Sequence, residues 1–429
     1  MEPLDWITLP TRPFKRRCQV HVDLEAITHR APETSPREVG LRRTAVERVW
    51  SAVEAAYRTG LYPAIQLCVR RRGAIVLDRA LGHAAGNAPG DPPDAQPIPV
   101  TTETPFRIYS ASKAVTAMVV HHLDDRGLLH IDDRVSDYLP EFAHGARSHI
   151  TIAHVLCHRS GIPNVPPGAM DLDLIARPEE LVRLLAQTPL RTRPGRRLAY
   201  HAVTGGFVIG EIVRRVTGQS IRAVLEKDVR DPLGLRWLSY GTAPEDADAV
   251  ARDALTGMPP LPPFAQVLER ALGATVPQVL ELAHDPRFLA GVLPSANVVA
   301  NARDLGAFFE CLRQGGQLGG VRVFEPRTVR RATTEQSFWE IDLTLGIPIR
   351  YGLGFMLGGR VFSLFGPDTA HAFGHVGFTN MIAWADPERA ISAALLTNGK
   401  PFLDLHVVRL YQVLMAIGRE FPKVRERHA

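Results

Sequence analysis

Lysine is scarce in this chain: only positions 15, 113, 227, 400 and 423 carry it, and the rest of the 50 basic residues are arginine. A lysine inside an apolar stretch therefore asks for a chemical reason. Cysteine is scarcer still. Cys18, Cys68, Cys157 and Cys311 are widely separated and include no CxxC, which argues against a disulfide scaffold and a thiolate-rich metal site. No window approaches 18 uncharged apolar residues, so no integral membrane segment is expected. The opening stretch "MEPLDWITLPTRPFKRRCQV" has acids and prolines where a secretory leader needs a basic start and an apolar run, which predicts a cytoplasmic protein. Its Lys15-Arg16-Arg17 cluster has no adjacent apolar anchor and reads as a solvated tail. The arginines are spread along the chain and the net charge is only +5, so nucleic acid is not an expected partner. GxSxG, HExxH and Walker-type glycine loops are all missing, and "GLGFMLG" at 352–358 has the wrong spacing for a dinucleotide turn.

What is present has the profile of a globular protein, 45% hydrophobic and 22% charged. Residues 1–40 show no sustained period and read as an irregular leader, with a single domain expected over 41–420. A helical period over 41–60 closes at Gly60, and "AIQLCVRRRGAIVLDRALG" then gives two β-rich runs about an Arg-Arg-Gly turn. From 110 to about 285 the period is mostly helical, over 111–127, 151–158, 179–187, 203–217 and 220–229, with "GMPPLPPF" at 257–264 as a surface loop. Helix returns at 302–314. The runs "YGLGFML", "RVFSLF", "HAFGHV", "NMIAWAD" and "AISAALLT" then read as strands before a last helix over 402–418. Strands at both ends with helices between predict an α+β fold, with one antiparallel sheet built from both chain ends and an inserted α-helical lobe. The α/β lobe is expected over 41–109 and 290–420, and the helical lobe over 110–289.

Within "FRIYSASKAVTAMVVHHL", residues 106–123, Lys113 lies three residues after Ser110 at the start of a helix. Side chains three apart share one helix face, so hydroxyl and amine can touch. The free N–H groups and dipole of a helix start favour a developing oxyanion. A lysine on an apolar face loses solvation, its pKa falls, and the neutral amine becomes available as the base that serine needs. The bland reading is a capping serine and a solvated lysine. Metal ligation is not expected: His121 and His122 are adjacent and face apart, and His371 and His375 lie in β-type surroundings.

Four segments in order resemble the serine β-lactamase and penicillin-binding superfamily, in its class C-like branch that includes family VIII carboxylesterases. They are "FRIYSASK", "ITIAHVLCHRSGIP" at 150–163, "PGRRLAYHAVTGGFVIGEIVRRVTGQS" at 194–220, and "YGLGF" at 351–355 with "FGHVGF" at 373–378 and "ADPE" at 385–388. The resemblance implies a β-lactamase/transpeptidase-like fold without a cofactor. It implies Ser110 as nucleophile, Lys113 as its proton partner, Tyr200 as a second general acid or base, and the N–H groups of Ser110 and Phe378 as the oxyanion hole. His375-Val376-Gly377 stands where the family has Lys-Thr-Gly.

Two departures bear on the substrate. Tyr200-His201-Ala202 replaces the usual Tyr-x-Asn and loses a carboxamide, and His375 replaces a lysine that would attract a substrate carboxylate. Both favour a small-molecule or lipid ester over a β-lactam or D,D-peptide, the alternative on the same scaffold. A non-catalytic binding or assembly protein that retains the fold is the alternative of another class. The sequence leaves the oligomeric state open.

Overall fold

The computed structural model describes residues 6–7, 16–92, 94–166, 171–338, 340–402, 404 and 406–424. Helix α1 (Ala45–Tyr57) turns Val49, Trp50, Val53 and Tyr57 inward, and it leads into strands β2 (Ala64–Arg71) and β3 (Ala74–Ala85). Arg72 and Gly73 make the tight turn between them with φ of 53° and 90°, the double left-handed geometry that suits the right-handed twist of a hairpin. Residues 28–30 fall in the segment expected to be irregular. Instead they form β1 (Thr28–Arg30), paired antiparallel along β3, because the ladder there supplies partners that local periodicity cannot reveal.

Short strands β4 (Phe106–Arg107), β5 (Ser239–Tyr240) and β6 (Val298–Ala300) form a small sheet with β6 in the middle. The chain-end strands follow as β7 (Arg350–Tyr351), β8 (Met356–Leu357), β9 (Phe373–Gly377), β10 (Met381–Asp386) and β11 (Ile391–Thr397). The large sheet runs β7-β8-β9-β10-β11-β2-β3-β1, with Ile98–Pro99 paired to β3, and every pairing is antiparallel. Its seam is β11 on β2, where late and early parts of the chain meet over seven residue pairs.

Helices close the layers. α2 (Ser112–Asp125) and α3 (Thr204–Thr217) pack together in the helical part, while α4 (Ala302–Arg313) crosses β10, β11 and β2. On that face Ser392 donates to the Gly306 carbonyl at 3.0 Å, and Cys68 approaches the same glycine. α1 covers β2 and β3 and packs against α5 (His406–Glu420). The helices expected over 111–127, 179–187, 203–217 and 302–314 are present to within a few residues. Two further helices, Phe264–Leu272 and Val276–Ala283, follow the proline run. "YGLGFML" is two short strands split by a turn in which the Gly352 N–H donates to the Phe355 carbonyl. "RVFSLF" is not a strand: Val361 and Phe362 stand 86% and 55% exposed on a loop with no ladder partner.

Candidate active site

The segment before α2 leaves β4, passes through a single 3₁₀ turn over Tyr109–Ala111, and enters the helix at Ser112. Tyr109 sits at φ 47°, left-handed for a bulky residue, at a cost of about 1–2 kcal/mol. Three contacts hold it there. Its hydroxyl donates to Asp253 Oδ2 at 2.7 Å, its ring stacks on Phe378 with centroids 5.3 Å apart, and the Lys400 ammonium lies 5.0 Å from the ring centre. The strained turn leaves Tyr109 buried and Ser110 half-buried, reachable from outside. Ser112 faces the other way, accepting the Val298 N–H at 3.0 Å and tying α2 to β6.

Lys113 is 9% exposed. Its ammonium donates to the Ala202 carbonyl at 2.7 Å, the Ser295 carbonyl at 3.0 Å and Ser110 Oγ at 3.3 Å. None of these partners carries charge. Burial therefore acts unopposed, and it drops the amine from its ordinary 10.5 to about 7. Tyr200 adjoins both groups, with the lysine nitrogen 5.0 Å from its ring centre. Burial pushes the Tyr200 phenol well up, Asp342 adds to the rise, and a hydrogen bond with the Ser110 side chain works the other way. Serine hydroxyl, low-pKa amine and phenol are thus contiguous, an arrangement able to pass a proton.

Strand β9 brings the third side. Gly377 passes so close to the Ile108 carbonyl that a Cβ would lie 2.5 Å from its oxygen, which explains why this position has no side chain. The β9–β10 hairpin then turns through Phe378, Thr379 at φ 64°, and Asn380. Asn380 fixes the turn, donating to the Gly399 carbonyl at 2.9 Å and accepting from Thr397 Oγ1 at 2.8 Å. The Phe378 N–H, just past the last ladder residue, lies beside the Ser110 turn with its ring on Tyr109.

All six residues singled out from the sequence, Ser110, Lys113, Tyr200, His375, Gly377 and Phe378, converge here. His375 is 1% exposed, and burial first and the nearby Lys113 charge second push its imidazole down to about 3. Its Nδ1–H donates to the Val376 carbonyl at 2.8 Å. An imidazole held that low is neutral near pH 7.

Sequence reasoning missed two groups. One is a layer of imidazoles behind Tyr200. His158, at φ 61°, packs its ring 4.6 Å from the Tyr200 ring and accepts the His201 N–H at 3.2 Å, and His201 Nε2 bonds Ser160 Oγ at 2.6 Å. Burial lowers both imidazoles, His201 to about 3, so this wall of the site is uncharged. Beside these neutral rings lies one carboxylate, Asp342, which accepts the Tyr200 N–H at 3.0 Å and the Tyr351 hydroxyl at 3.3 Å. The other group is a buried ionic cluster beneath Tyr109. Asp253 meets Arg107 at 2.7 Å and Lys400 at 3.2 Å while accepting the Tyr109 hydroxyl. The scarcity that singles out Lys113 also applies to Lys400, but its partner Asp253 is remote in sequence and gave no signal.

A serine-lysine-tyrosine constellation at the junction of a helical part and an antiparallel sheet joined from both chain ends defines a class, the β-lactamase/transpeptidase-like serine hydrolases. Comparison with known proteins agrees: the Beta-lactamase family model matches residues 50–416, and the chain belongs to that family. The chain is 30% identical over 316 residues to the esterase/beta-lactamase LipL of Mycobacterium tuberculosis, covering 70% of this chain and 71% of that one. A penicillin-binding protein homologue from Caulobacter crescentus superposes with a TM-score of 0.76 at 28% identity, over 89% of this chain and 99% of the other. A family VIII carboxylesterase superposes with a TM-score of 0.72 at 26% identity, over 87% and 98%.

Proposed function

We propose that this protein hydrolyses neutral carboxylic esters, of short to medium acyl chains or lipid-like, through an acyl-enzyme on Ser110. Ser110 Oγ attacks the ester carbonyl carbon as its proton passes to the Lys113/Tyr200 pair. The N–H groups of Ser110 and Phe378 hold the resulting oxyanion. Collapse breaks the ester C–O bond, and the departing alkoxide takes the proton back from the same pair. Water then attacks the acyl carbonyl, the pair accepts a proton from it, and Ser110 Oγ leaves reprotonated with release of the acid. Lys113 and Tyr200 titrate as a coupled pair and share the work.

The observation that carries the choice of a neutral ester is His375. A fully buried imidazole held neutral stands where a permanent cation would grip a substrate carboxylate, and Ala202 offers a methyl where a carboxamide would hold an amide chain. The β-lactam or D,D-peptide alternative draws support from the likeness to a penicillin-binding protein homologue. Comparing p-nitrophenyl butyrate with nitrocefin tests the choice: kcat/KM should favour the ester by a large factor, and His375→Lys should move the ratio toward the carboxylate-bearing substrate. Equal rates in the native enzyme would overturn the reading. Failure of Ser110 to react with a fluorophosphonate probe would instead favour a binding protein.

A further inference from the structure

Two loops carry six of the exposed large apolar side chains among the described residues, including the two most exposed, Val361 and Phe338. Phe338 is 78% exposed, Ile341 61% and Leu343 57% on the first loop, and Val361 and Phe362 stand out on the second. Between them lies a groove of about 470 Å³, lined by Phe338, Ile349, Leu357, Val361, Phe362 and Leu364 among others. So many large apolar side chains clustered and open to water mark an interaction surface rather than chance exposure.

The charge around this surface has one sign. Residues 189–199 read "PLRTRPGRRLA", four arginines and no acid. Arg193, Arg196 and Arg197 are exposed and make no ion pair among the described residues. This strip is tied to the first loop at two points. The Leu343 N–H donates to the Leu198 carbonyl at 3.0 Å, and the Arg159 carbonyl accepts the Gly195 N–H at 2.9 Å while the Arg159 guanidinium pairs with Glu340. The acids near the groove are already matched, Glu340 by Arg159 and Glu335 by Arg350 at 2.8 Å. No helix among the described residues is long and apolar enough to cross a membrane.

We propose that Phe338, the loop at 340–347 and the loop at 360–364, with the arginine strip at 193–197, dock the protein on a lipid surface bearing anionic headgroups. The apolar tips enter the acyl boundary while the guanidiniums meet the phosphates, the combination by which peripheral proteins hold an interface. Docking would set the active site at that interface. Asp342, in the middle of the first loop, bonds the Tyr200 N–H, and Arg159 adjoins His158. Resting on the ester-hydrolase reading, this places the natural substrate among lipid-borne esters.

Flotation of the full chain with vesicles tests the surface apart from the chemistry. The native protein should float with phosphatidylglycerol/phosphatidylcholine vesicles and much less with phosphatidylcholine alone. Val361→Asp combined with Phe338→Asp should cut vesicle binding at least tenfold, and Arg196→Glu with Arg197→Glu should remove the preference for the anionic vesicles. Both pairs should keep the rate on soluble p-nitrophenyl butyrate, since none of these side chains touches the serine, and that rate also certifies the fold. A native protein that hydrolyses the soluble ester yet ignores both vesicles overturns the docking proposal, as does a Val361→Asp/Phe338→Asp variant that binds undiminished. A native dimer in sedimentation that the same aspartates dissociate, without vesicle binding, reassigns the face to a second copy of the chain. Vesicle binding without any ester hydrolysis sinks the ester-hydrolase reading and leaves the surface standing.

Discussion

Lys113 and Lys400 flank the same turn, and both are sealed from water, yet they are built for different work. Lys113 meets two carbonyls and a hydroxyl. Lys400, 0% exposed, meets the Thr397 carbonyl at 2.7 Å and the Asp253 carboxylate at 3.2 Å. Burial lowers both amines, but the carboxylate pushes back: Lys113 falls to about 7 and Lys400 only to about 8. At neutral pH the first is divided between its two forms and the second stays mainly cationic. Depth alone does not make a lysine a base; the absence of a carboxylate does.

The comparison breaks hardest at Lys113. Lys113→Met should lower kcat on p-nitrophenyl butyrate by about 10³–10⁴, the upper part of the range for acid-base groups. Its stability effect should run the opposite way. An unfolded lysine keeps its ordinary 10.5, so between pH 7 and 10.5 the unfolded chain holds the extra proton, and native stability rises with pH across that window. The penalty is full below pH 7 and gone above 10.5. Replacing the lysine removes that slope, which urea unfolding at pH 6.5 and 9 measures. A variant with the native slope would show that Lys113 is charged in the fold.

Tyr200→Phe keeps the ring and removes only the proton-carrying oxygen. A kcat loss of about 10²–10³ with Tm nearly unchanged is expected from stopped assays and a thermal melt. Most of the activity surviving would return Tyr200 to packing and leave the amine alone as base.

At the structural lysine the ranking inverts. Asp253→Asn strands Arg107 and Lys400 as unpaired buried cations and should cost about 3–5 kcal/mol of stability. It also frees Tyr109 from its left-handed pose, so kcat should fall about tenfold with KM little changed. Lys400→Met leaves Asp253 with Arg107 and Tyr109 and should do less on both counts.

The smallest effect sharpens the contrast most. kcat/KM should rise with pH through an apparent pKa near 7 as Lys113 gives up its proton. That limb should stay in place in Lys400→Met, because burial alone sets it. A limb that moves with Lys400 would mean the two amines act as one.

The Ser110 turn, strand β9 and most long helices were legible because each is written locally, in period, spacing or a rare residue. What escaped notice depends on partners distant in sequence. β1 exists only because β3 offers a ladder, and the Asp253 cluster joins residues from three separate segments. Nor could spacing reveal why the residue before Ser110 is a tyrosine: a left-handed tyrosine makes sense only once its hydroxyl, ring and backbone are seen held at once. Ser112 taught the same lesson in reverse. Its position two residues after Ser110 says nothing of β6, yet its hydroxyl anchors that strand, so Ser112→Ala tests the fold and not the chemistry. "RVFSLF" misled because exposed apolar residues copy the composition of a strand without its pairing.

The β11–β2 seam also sets a schedule. Ser110 and Lys113 leave the ribosome well before Phe378, Asn380 and the strand that fits β2. Until β11 arrives, β2 is an open edge, the condition in which nascent sheets pair with the wrong neighbour. The last step is a closure between distant parts of one chain, slow by its topology. A translation product stopped before Ile391 carries Ser110 and Lys113 but neither β11 nor Lys400, so the serine turn is made long before the strand and the cation that hold it.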